Sequence, residues 1–226
     1  MKTIRENPFF FIAFSIWLIW GGVWLLTHHT GDGILFWSGH RSPFRDLFFK
    51  QATRLGEGVA YLAVIVLASL VRIRHGLLVL VTGLTVVLTS FLTKSLFAQE
   101  RPLAYLRRFN QLDQINFVDG VNLHSGTTSF PSGHTMAAFA LFALLAFLIK
   151  QKRIPALLLF LLAFFVATSR VYLVQHFFKD VYAGSIIGVL LAMIFYAVQL
   201  RLPADKRVWY NRGVWHNHFG LNDHST

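Results

Sequence analysis

The sequence contains no cysteine, and it has only 10 acidic residues against 21 lysines and arginines. The absence of cysteine excludes disulfides and thiol chemistry and leaves the redox compartment undefined. The few carboxylates form no cluster along the chain, so no magnesium site built from oxygen ligands is visible. Internal repeats, low-complexity segments and linkers rich in proline and glycine are also lacking. We therefore predict one domain over residues 1–226.

Hydrophobic residues are abundant: they make up 55% of the chain, and the mean hydropathy is +0.54. Apolar segments of about the length that crosses ~30 Å of hydrocarbon recur along the sequence. A soluble protein with buried core helices is the alternative, but too little polar chain remains to cover such a globule. We predict an all-α polytopic membrane protein with six transmembrane helices, over residues 9–26, 57–71, 77–97, 133–149, 156–172 and 181–200.

The distribution of basic residues indicates how these helices are oriented. Short segments dense in lysine and arginine are typical of the cytoplasmic side, and four pieces of the chain fit that description: residues 1–8, 72–75, 150–153 and the tail from Arg201. Both termini are then cytoplasmic, and the long segment 98–131 lies outside. Residues 27–29 (Thr-His-His) stand where a secretory signal would have its cleavage site, so we interpret the first apolar segment as an uncleaved helix.

The net charge of +11 raises the possibility of a nucleic-acid partner. However, the cations flank membrane helices and form no groove interleaved with aromatic residues. Anchoring to anionic lipid headgroups explains them better, and we predict no nucleic-acid partner. The C-terminal tail could suggest a metal site, but interfacial aromatics and a solvated histidine-rich terminus explain it better. Its residues are Trp209, Tyr210, Trp215, His216, His218 and His224.

The first chemical motif is Lys94 followed by Arg101 and Pro102. Seven residues are two helical turns, so a helix that continued through both cations would point them the same way. Arginine offers a planar fork to phosphate oxygens, and lysine adds a mobile point charge. The alternative is that both side chains only reach for the membrane interface.

The second motif, residues 131–134 (Pro-Ser-Gly-His), opens the fourth helix. Ser132 is a good N-cap, and Gly133 lets the main chain approach a ligand closely. The free N–H groups of a helix start attract anions, and His134 would then touch the bound group. An ordinary capped helix with an interfacial histidine is the alternative.

The third motif combines Ser169 and Arg170 with His176 and Asp180, at the junction of two apolar segments where ionisable groups are costly. His176 and Asp180 are four residues apart, so on a helix start they share a face. A carboxylate in that position fixes the tautomer of a histidine whose other nitrogen can attack a substrate. A structural ion pair is the alternative.

Together, Lys94 with Arg101-Pro102, then Pro131 to His134, then Ser169-Arg170 with His176 and Asp180, resemble the three-part signature of the type 2 phosphatidic acid phosphatase superfamily. The resemblance includes the spacings within each part and extends from the third to the sixth helix. Residues 53–58 also look like a segment that often precedes the second helix in that family. The resemblance implies a bacterial inner-membrane phosphatase with its active site at the outer membrane–water interface.

The same resemblance implies a role for each residue. Lys94, Arg101 and Arg170 would hold the phosphate, assisted by the N–H groups of Ser132 and Gly133. His176 would be the nucleophile that forms a phosphohistidine, and Asp180 would orient it. His134 would protonate the leaving group and then activate water. No metal and no cofactor would be needed, since three cations supply the charge.

The substrate remains open at this level. An amphiphilic lipid phosphate fits a site at the bilayer surface, and the family suggests undecaprenyl pyrophosphate, phosphatidylglycerol phosphate, phosphatidic acid or lipid A. Arg107 and Arg108 could contact a second phosphate or simply be solvated. A phosphotransferase that uses the same residues is one alternative. A transporter is another, although six helices without an inverted repeat disfavour it.

Overall fold

The chain folds into helices joined by short turns and one long segment. A computed structural model describes residues 2–149, 153–202 and 209–211, and within these ranges it contains no strand. Helices suit such apolar runs, since each satisfies its main-chain hydrogen bonds internally, as hydrocarbon requires. The predicted all-α class is confirmed.

Six of the helices each cover all, or all but one residue, of a predicted apolar segment. In chain order the α-helices are α1 (Lys2–Glu6), α2 (Pro8–Thr27), α3 (Asp32–Gly39), α4 (Pro43–Ala52), α5 (Gly58–Val71), α6 (Ile73–Phe97), α7 (Pro102–Arg108), α8 (Gly133–Leu148), α9 (Ile154–Tyr172) and α10 (Phe178–Leu200). Short 3-10 turns cover Thr53–Gly56, Leu112–Gln114 and Trp209–Asn211.

Local chemistry explains where several of these helices start. Helix α6 begins four residues before the predicted 77, directly after Arg72, which is extended (φ −153°) and ends α5. Helix α9 begins at Ile154 with a proline in its first turn, where no helical N–H is needed. Helix α10 begins three residues before the predicted 181, because the Asp180 carboxylate accepts a hydrogen bond from Phe177 N.

Among the described residues, four helices, or five spans if one bent pair counts as a span, have the length and composition to cross a membrane. Helices α2, α6, α9 and α10 are long and apolar enough to cross a membrane. Helix α4 with its 3-10 turn and α5 would count as a fifth span, bent by 57°. Helix α8 has 16 residues, and most of its side chains are buried against other helices instead of facing lipid. The prediction of six crossings therefore stays a prediction.

Helix α8 lies at the centre of the bundle, and α10 packs closely against it. Gly184 and Gly188 make this possible: a Cβ at Gly184 would lie 2.7 Å from the Ser132 carbonyl oxygen, and one at Gly188 would lie 2.5 Å from that of Met136. Small residues let two helices approach at backbone distance. This contact sets the start of α8 directly beside the start of α10.

Two segments predicted only as loops contain helices. Helices α3 and α4 occupy part of 27–57, and α7 lies within 98–131. The two segments are joined: Asn116 N donates to Ser38 Oγ at 2.7 Å, and Arg41 Nε donates to the Asn116 carbonyl at 3.0 Å. The cluster at residues 150–152 and the tail residues Trp215, His216, His218 and His224 lie outside the described ranges.

Candidate active site

The three motifs meet on one face of the bundle, where α6 and α9 end and α8 and α10 begin. We call this the active-site face. Lys94 is in the last turn of α6, Ser132 caps α8, Arg170 is in the last turn of α9, and Asp180 is in the first turn of α10. The eight predicted site residues therefore lie at helix ends, or next to them, on the same face.

His176 and Asp180 are both buried, with exposed fractions of 2% and 0%. His176 Nδ1 lies 3.4 Å from Asp180 Oδ2. That contact assigns Nδ1 to the carboxylate and leaves Nε2 as the nitrogen that can meet a substrate. The pairing expected from their four-residue spacing is present.

Asp180 has a further partner that the sequence did not suggest. The hydroxyl of Ser129, which is fully buried, donates to Asp180 Oδ2 at 2.5 Å, and Phe177 N donates to the same oxygen at 3.0 Å. Asp180 Oδ1 has no hydrogen-bond partner in the described part of the chain. Two donors other than His176 thus hold the Asp180 oxygen that faces the histidine.

Burial dominates the proton affinity of His176. It lowers the pKa of the imidazole to about 4, and the nearby Arg170 and Arg101 guanidinium groups act in the same direction. The Asp180 carboxylate opposes this shift but does not overcome it. At neutral pH the imidazole is therefore neutral, as a nitrogen nucleophile must be.

The loop that carries His176 is tied to Arg170. Val174 is buried and adopts a left-handed φ of 57°, which is unfavourable for a β-branched residue. This turn brings the N–H groups of Gln175 and His176 to the Arg170 carbonyl oxygen, at 2.9 and 3.1 Å. Backbone strain thus coincides with the position of the candidate nucleophile.

Arg170 is 7% exposed, and its Nη1 donates to Thr53 Oγ1 at 2.6 Å. Glu57 lies within electrostatic range of it. Both partners belong to residues 53–58, the segment whose family resemblance was noted in the sequence. In the sequence, that resemblance was all that pointed to Thr53, and it did not predict the hydrogen bond with Arg170.

Arg101 reaches the site from the start of α7 and not from a continuous helix shared with Lys94. The helix does not continue through Lys94 and Arg101: α6 ends at Phe97, Ala98 is left-handed (φ 41°), and α7 starts after Arg101. Arg101 Nε donates to Thr128 Oγ1 at 3.1 Å and Nη1 to the Gln175 carbonyl at 3.3 Å. The Arg101 side chain therefore reaches the site because the chain turns between α6 and α7.

The start of α8 offers main-chain N–H groups to an anion, but not all of the expected donors are free. Ser132 N donates to the Asp180 carbonyl at 3.0 Å, so this N–H is not available to a phosphate. Gly133 keeps the close-approach role, since a Cβ there would lie 2.8 Å from Ser90 Oγ and 3.6 Å from Lys94 Nζ. Thr135 N donates to Ser132 Oγ at 3.4 Å, which leaves the N–H groups of Gly133 and His134 as the donors of the first turn that an anion could meet.

His134 is half-buried, and Lys94, Arg101, Arg170 and His176 all lie within electrostatic range of it. It lies beside Lys94 and Gly133 at one end of a cavity of about 490 Å³. The rest of the cavity descends between α5, α6 and α8 and is lined mainly by apolar side chains. We call this cavity the groove. It leads from Lys94 and His134 into the apolar part of the bundle.

The segment 103–130 closes over part of the site. Gln175 Nε2 donates to the Asn122 carbonyl at 3.0 Å, which attaches the segment to the loop that carries His176. Arg107 is exposed, and Arg108 forms an ion pair with Glu100 at 2.8 Å. Arg108 therefore has a partner within the protein.

No group of three or more histidine, cysteine or acidic side chains arranged to hold a metal occurs among the described residues. The positive charge of the site comes from Lys94, Arg101 and Arg170, which lie within electrostatic range of one another. Such fixed cations can stabilise charge on a phosphoryl group in a site that excludes water.

Comparison with known proteins gives a consistent result. The model of the PAP2 superfamily matches residues 74–203, more than half of the chain. The chain is 32% identical to the lipid A 4'-phosphatase of Bacteroides thetaiotaomicron over 177 residues, 76% of this chain and 77% of that protein. It is 38% identical to phosphatidylglycerophosphatase B of Bacillus subtilis over 77 residues, 30% of this chain and only 38% of that relative.

The fold is shared as well. The crystal structure of Aquifex aeolicus LpxE superposes with a TM-score of 0.64 at 27% identity, covering 74% of this chain and 94% of that one. The sequence motifs, the helical bundle and the matched family model agree, and the resemblance seen in the sequence is confirmed. The chain belongs to the PAP2 superfamily.

Proposed function

We propose that this protein is a metal-independent phosphatase of membrane lipid phosphates that acts through a phosphohistidine on His176. Membership of the family makes the chain a membrane phosphatase. One observation carries the finer proposal: Lys94 and His134 line one end of a groove whose other walls are mainly apolar, and Arg101, Arg170 and His176 lie within electrostatic range of His134. The phosphate of a lipid can lie at the polar end of the groove while its hydrocarbon tail lies along the apolar walls.

The proposed reaction has two steps. Nε2 of neutral His176 attacks phosphorus, the bond to the leaving oxygen breaks, and His134 gives that oxygen its proton. The products are the lipid alcohol, or lipid monophosphate, and phosphohistidine. His134, now neutral, takes a proton from water as the water oxygen attacks phosphorus. The nitrogen–phosphorus bond breaks and inorganic phosphate leaves, held until then by Lys94, Arg101 and Arg170.

Substrate choice is proposed at the level of lipid phosphates and pyrophosphates. The names of the relatives favour phosphatidylglycerol phosphate and lipid A, and undecaprenyl pyrophosphate and phosphatidic acid belong to the same chemical class. The ion pair of Arg108 with Glu100 argues against Arg108 as a second phosphate ligand.

A lipid phosphate panel tests this proposal. We expect the purified protein to release inorganic phosphate from at least one of these lipids at the same rate with and without excess EDTA, since the fixed cations supply the charge. Free phosphate released without an added acceptor alcohol would exclude the phosphotransferase alternative. Loss of activity in EDTA, reversed by Mg²⁺ or Zn²⁺, would contradict the mechanism.

We also propose that the active-site face lies on the outer side of a bacterial inner membrane, with both termini in the cytoplasm. In this cysteine-free chain, Ser125→Cys and Arg153→Cys each introduce one exposed thiol, at opposite ends of α8 and its flanking turns. We expect a membrane-impermeant thiol reagent to label only Ser125→Cys on intact cells. Labelling of Arg153→Cys alone would reverse the topology, and permeabilised cells, in which both should react, provide the control.

Ser129 supplies a test of the nucleophile assignment that does not remove the nucleophile. Without its hydroxyl, the Asp180 carboxylate interacts more strongly with His176, which raises the pKa of the imidazole. For Ser129→Ala we expect the acidic limb of the pH–rate profile to move to higher pH, and kcat to fall ~10-fold or more, as for a lost hydrogen bond to a charged group.

The matched control is Ser125→Ala, an exposed serine of the same segment. Its pH profile should coincide with that of the unmodified protein when both are measured on one substrate, so that ionisation of the substrate cancels. A Ser129→Ala profile that falls in rate without moving along the pH axis would mean that Ser129 only packs against Asp180.

A further inference from the structure

A second crevice lies between α2, α3, α9 and α10, lined by none of the residues that line the groove. It consists of three adjoining hollows of about 170, 360 and 250 Å³. The first and second share Trp24, Gly33 and Phe178, and the second and third share Trp17 and Trp20. We call the whole the tryptophan crevice.

The end of the crevice nearest the active-site face is polar. His28, His29, Thr30 and Lys179 line it, at the end of α2 and the start of α10. Lys179 is half-buried, and no carboxylate pairs with it among the residues described; its ammonium lies 5.9 Å from the centre of the Phe177 ring. This end therefore presents a cation without an acidic partner.

The other two hollows are lined almost entirely by aromatic and aliphatic side chains. Trp17 has its one polar atom satisfied, since Nε1 donates to Ser185 Oγ at 2.9 Å, so only its ring faces the space. Trp20 is 49% exposed. An apolar hollow of this size does not hold water well, and in a membrane its natural filling is hydrocarbon.

The crevice has a polar end followed by apolar hollows, which is the same order as the headgroup and acyl chain of a lipid. Polar lining at the membrane surface passes into apolar lining along the helices, as a headgroup passes into an acyl chain. Interfacial tryptophans and a lysine at headgroup level are typical of lipid contacts. The charge of Lys179 selects a negative headgroup.

We propose that the tryptophan crevice binds one anionic phospholipid of the surrounding membrane as a resident, non-catalytic ligand. Its phosphate lies at Lys179 and His28, and one acyl chain follows the aromatic hollows. Val171 and Phe178 line the crevice and flank the loop that carries His176. The bound lipid therefore packs against the two residues that flank the loop of His176, and it does not contact Lys94, Arg101 or Arg170.

Gly33 provides a way to block the crevice. It lies where the polar and apolar hollows join, and a Cβ there would make only ordinary contacts, 3.4 Å from Val171 Cγ1 and 3.8 Å from Phe178 Cβ. A leucine at this position fits the backbone and fills the space beyond it. Gly39 lies in the last turn of the same helix, and a Cβ there would have no neighbouring atom within 4 Å. Gly39→Leu is therefore the matched control.

The experiment measures lipid binding and not turnover, so it stands apart from the proposed phosphatase activity. Protein in detergent micelles receives dioleoyl phosphatidylglycerol or dioleoyl phosphatidylcholine, and native mass spectrometry counts the lipids retained. Phosphatidylglycerol is a phosphodiester and not one of the proposed substrates. We expect one phosphatidylglycerol to be retained in preference to phosphatidylcholine, with a matching rise in Tm.

Gly33→Leu should lose this lipid and the rise in Tm, whereas Gly39→Leu should keep both. Lys179→Gln should reduce the preference for phosphatidylglycerol roughly fivefold, the factor expected for one lysine near a charged membrane surface. Equal retention of the two lipids by the unmodified protein, or undiminished retention by Gly33→Leu, would overturn the proposal.

Discussion

His176→Asn is expected to lower kcat at least ~10³-fold on every lipid phosphate tested, because no other side chain described at the site offers a neutral nitrogen beside an orienting carboxylate. The measurement is phosphate release by purified protein, with Tm and elution volume checked to confirm folding. His124→Asn, an exposed histidine of the covering segment, is the control and should retain full activity. A folded His176→Asn protein with more than a tenth of normal activity would exclude His176 as the nucleophile.

His134, the proposed leaving-group acid, should behave differently from His176. An aryl phosphate has a good leaving group and depends less on an acid, so His134→Ala should lose less activity on it than on an alkyl lipid phosphate. General acid catalysis contributes about 10²–10⁴-fold, which sets the size of the difference. His176→Asn should lose equally on both substrates. An equal defect of His134→Ala on both would make His134 a phosphate ligand and not the leaving-group acid.

Blocking the groove is the second change for which we expect a large effect. Val87 and Leu88 are neighbours on α6 with similar exposed fractions, 68% and 56%, but only Val87 lines the groove. We expect Val87→Trp to lower kcat/KM for a long-chain lipid phosphate ~10²-fold and to leave a short, water-soluble phosphate ester unaffected. Leu88→Trp should change neither.

The reason for this expectation is geometric. A lipid tail is already in hydrocarbon before it enters the groove, so the groove gains little from hydrophobic burial. What it supplies is the position of the phosphate relative to His176, and a displacement of about 1 Å can cost 10²-fold in rate. If Val87→Trp slowed the short ester as much as the lipid, the groove would not be the path of the tail.

The sequence predicted the helical class and brought together the residues of the site, because those residues stand at the ends of apolar runs with short, regular spacings. His176 and Asp180 could be paired from their four-residue separation alone. Ser129 and Thr53 could not be identified as partners of Asp180 and Arg170, since each contact joins segments 51 or more residues apart and depends on how helices pack. The end of α6 at Phe97 agrees with the prediction, but the left-handed Ala98 that follows it is not visible in a pattern of hydrophobicity.

The hydrogen bond from Ser132 N to the Asp180 carbonyl has a mechanical consequence. It joins the first turn of α8 to the first turn of α10, so the proposed phosphate-binding N–H groups are held at a fixed distance from the Asp180 carboxylate. Gly184 lies just below, with no room for a methyl group beneath the Ser132 carbonyl. A larger side chain at Gly184 would push α10 away from α8 and would displace the first turns of both helices. In the proposed mechanism, the distance between the phosphate and His176 therefore depends on helix packing at Gly184.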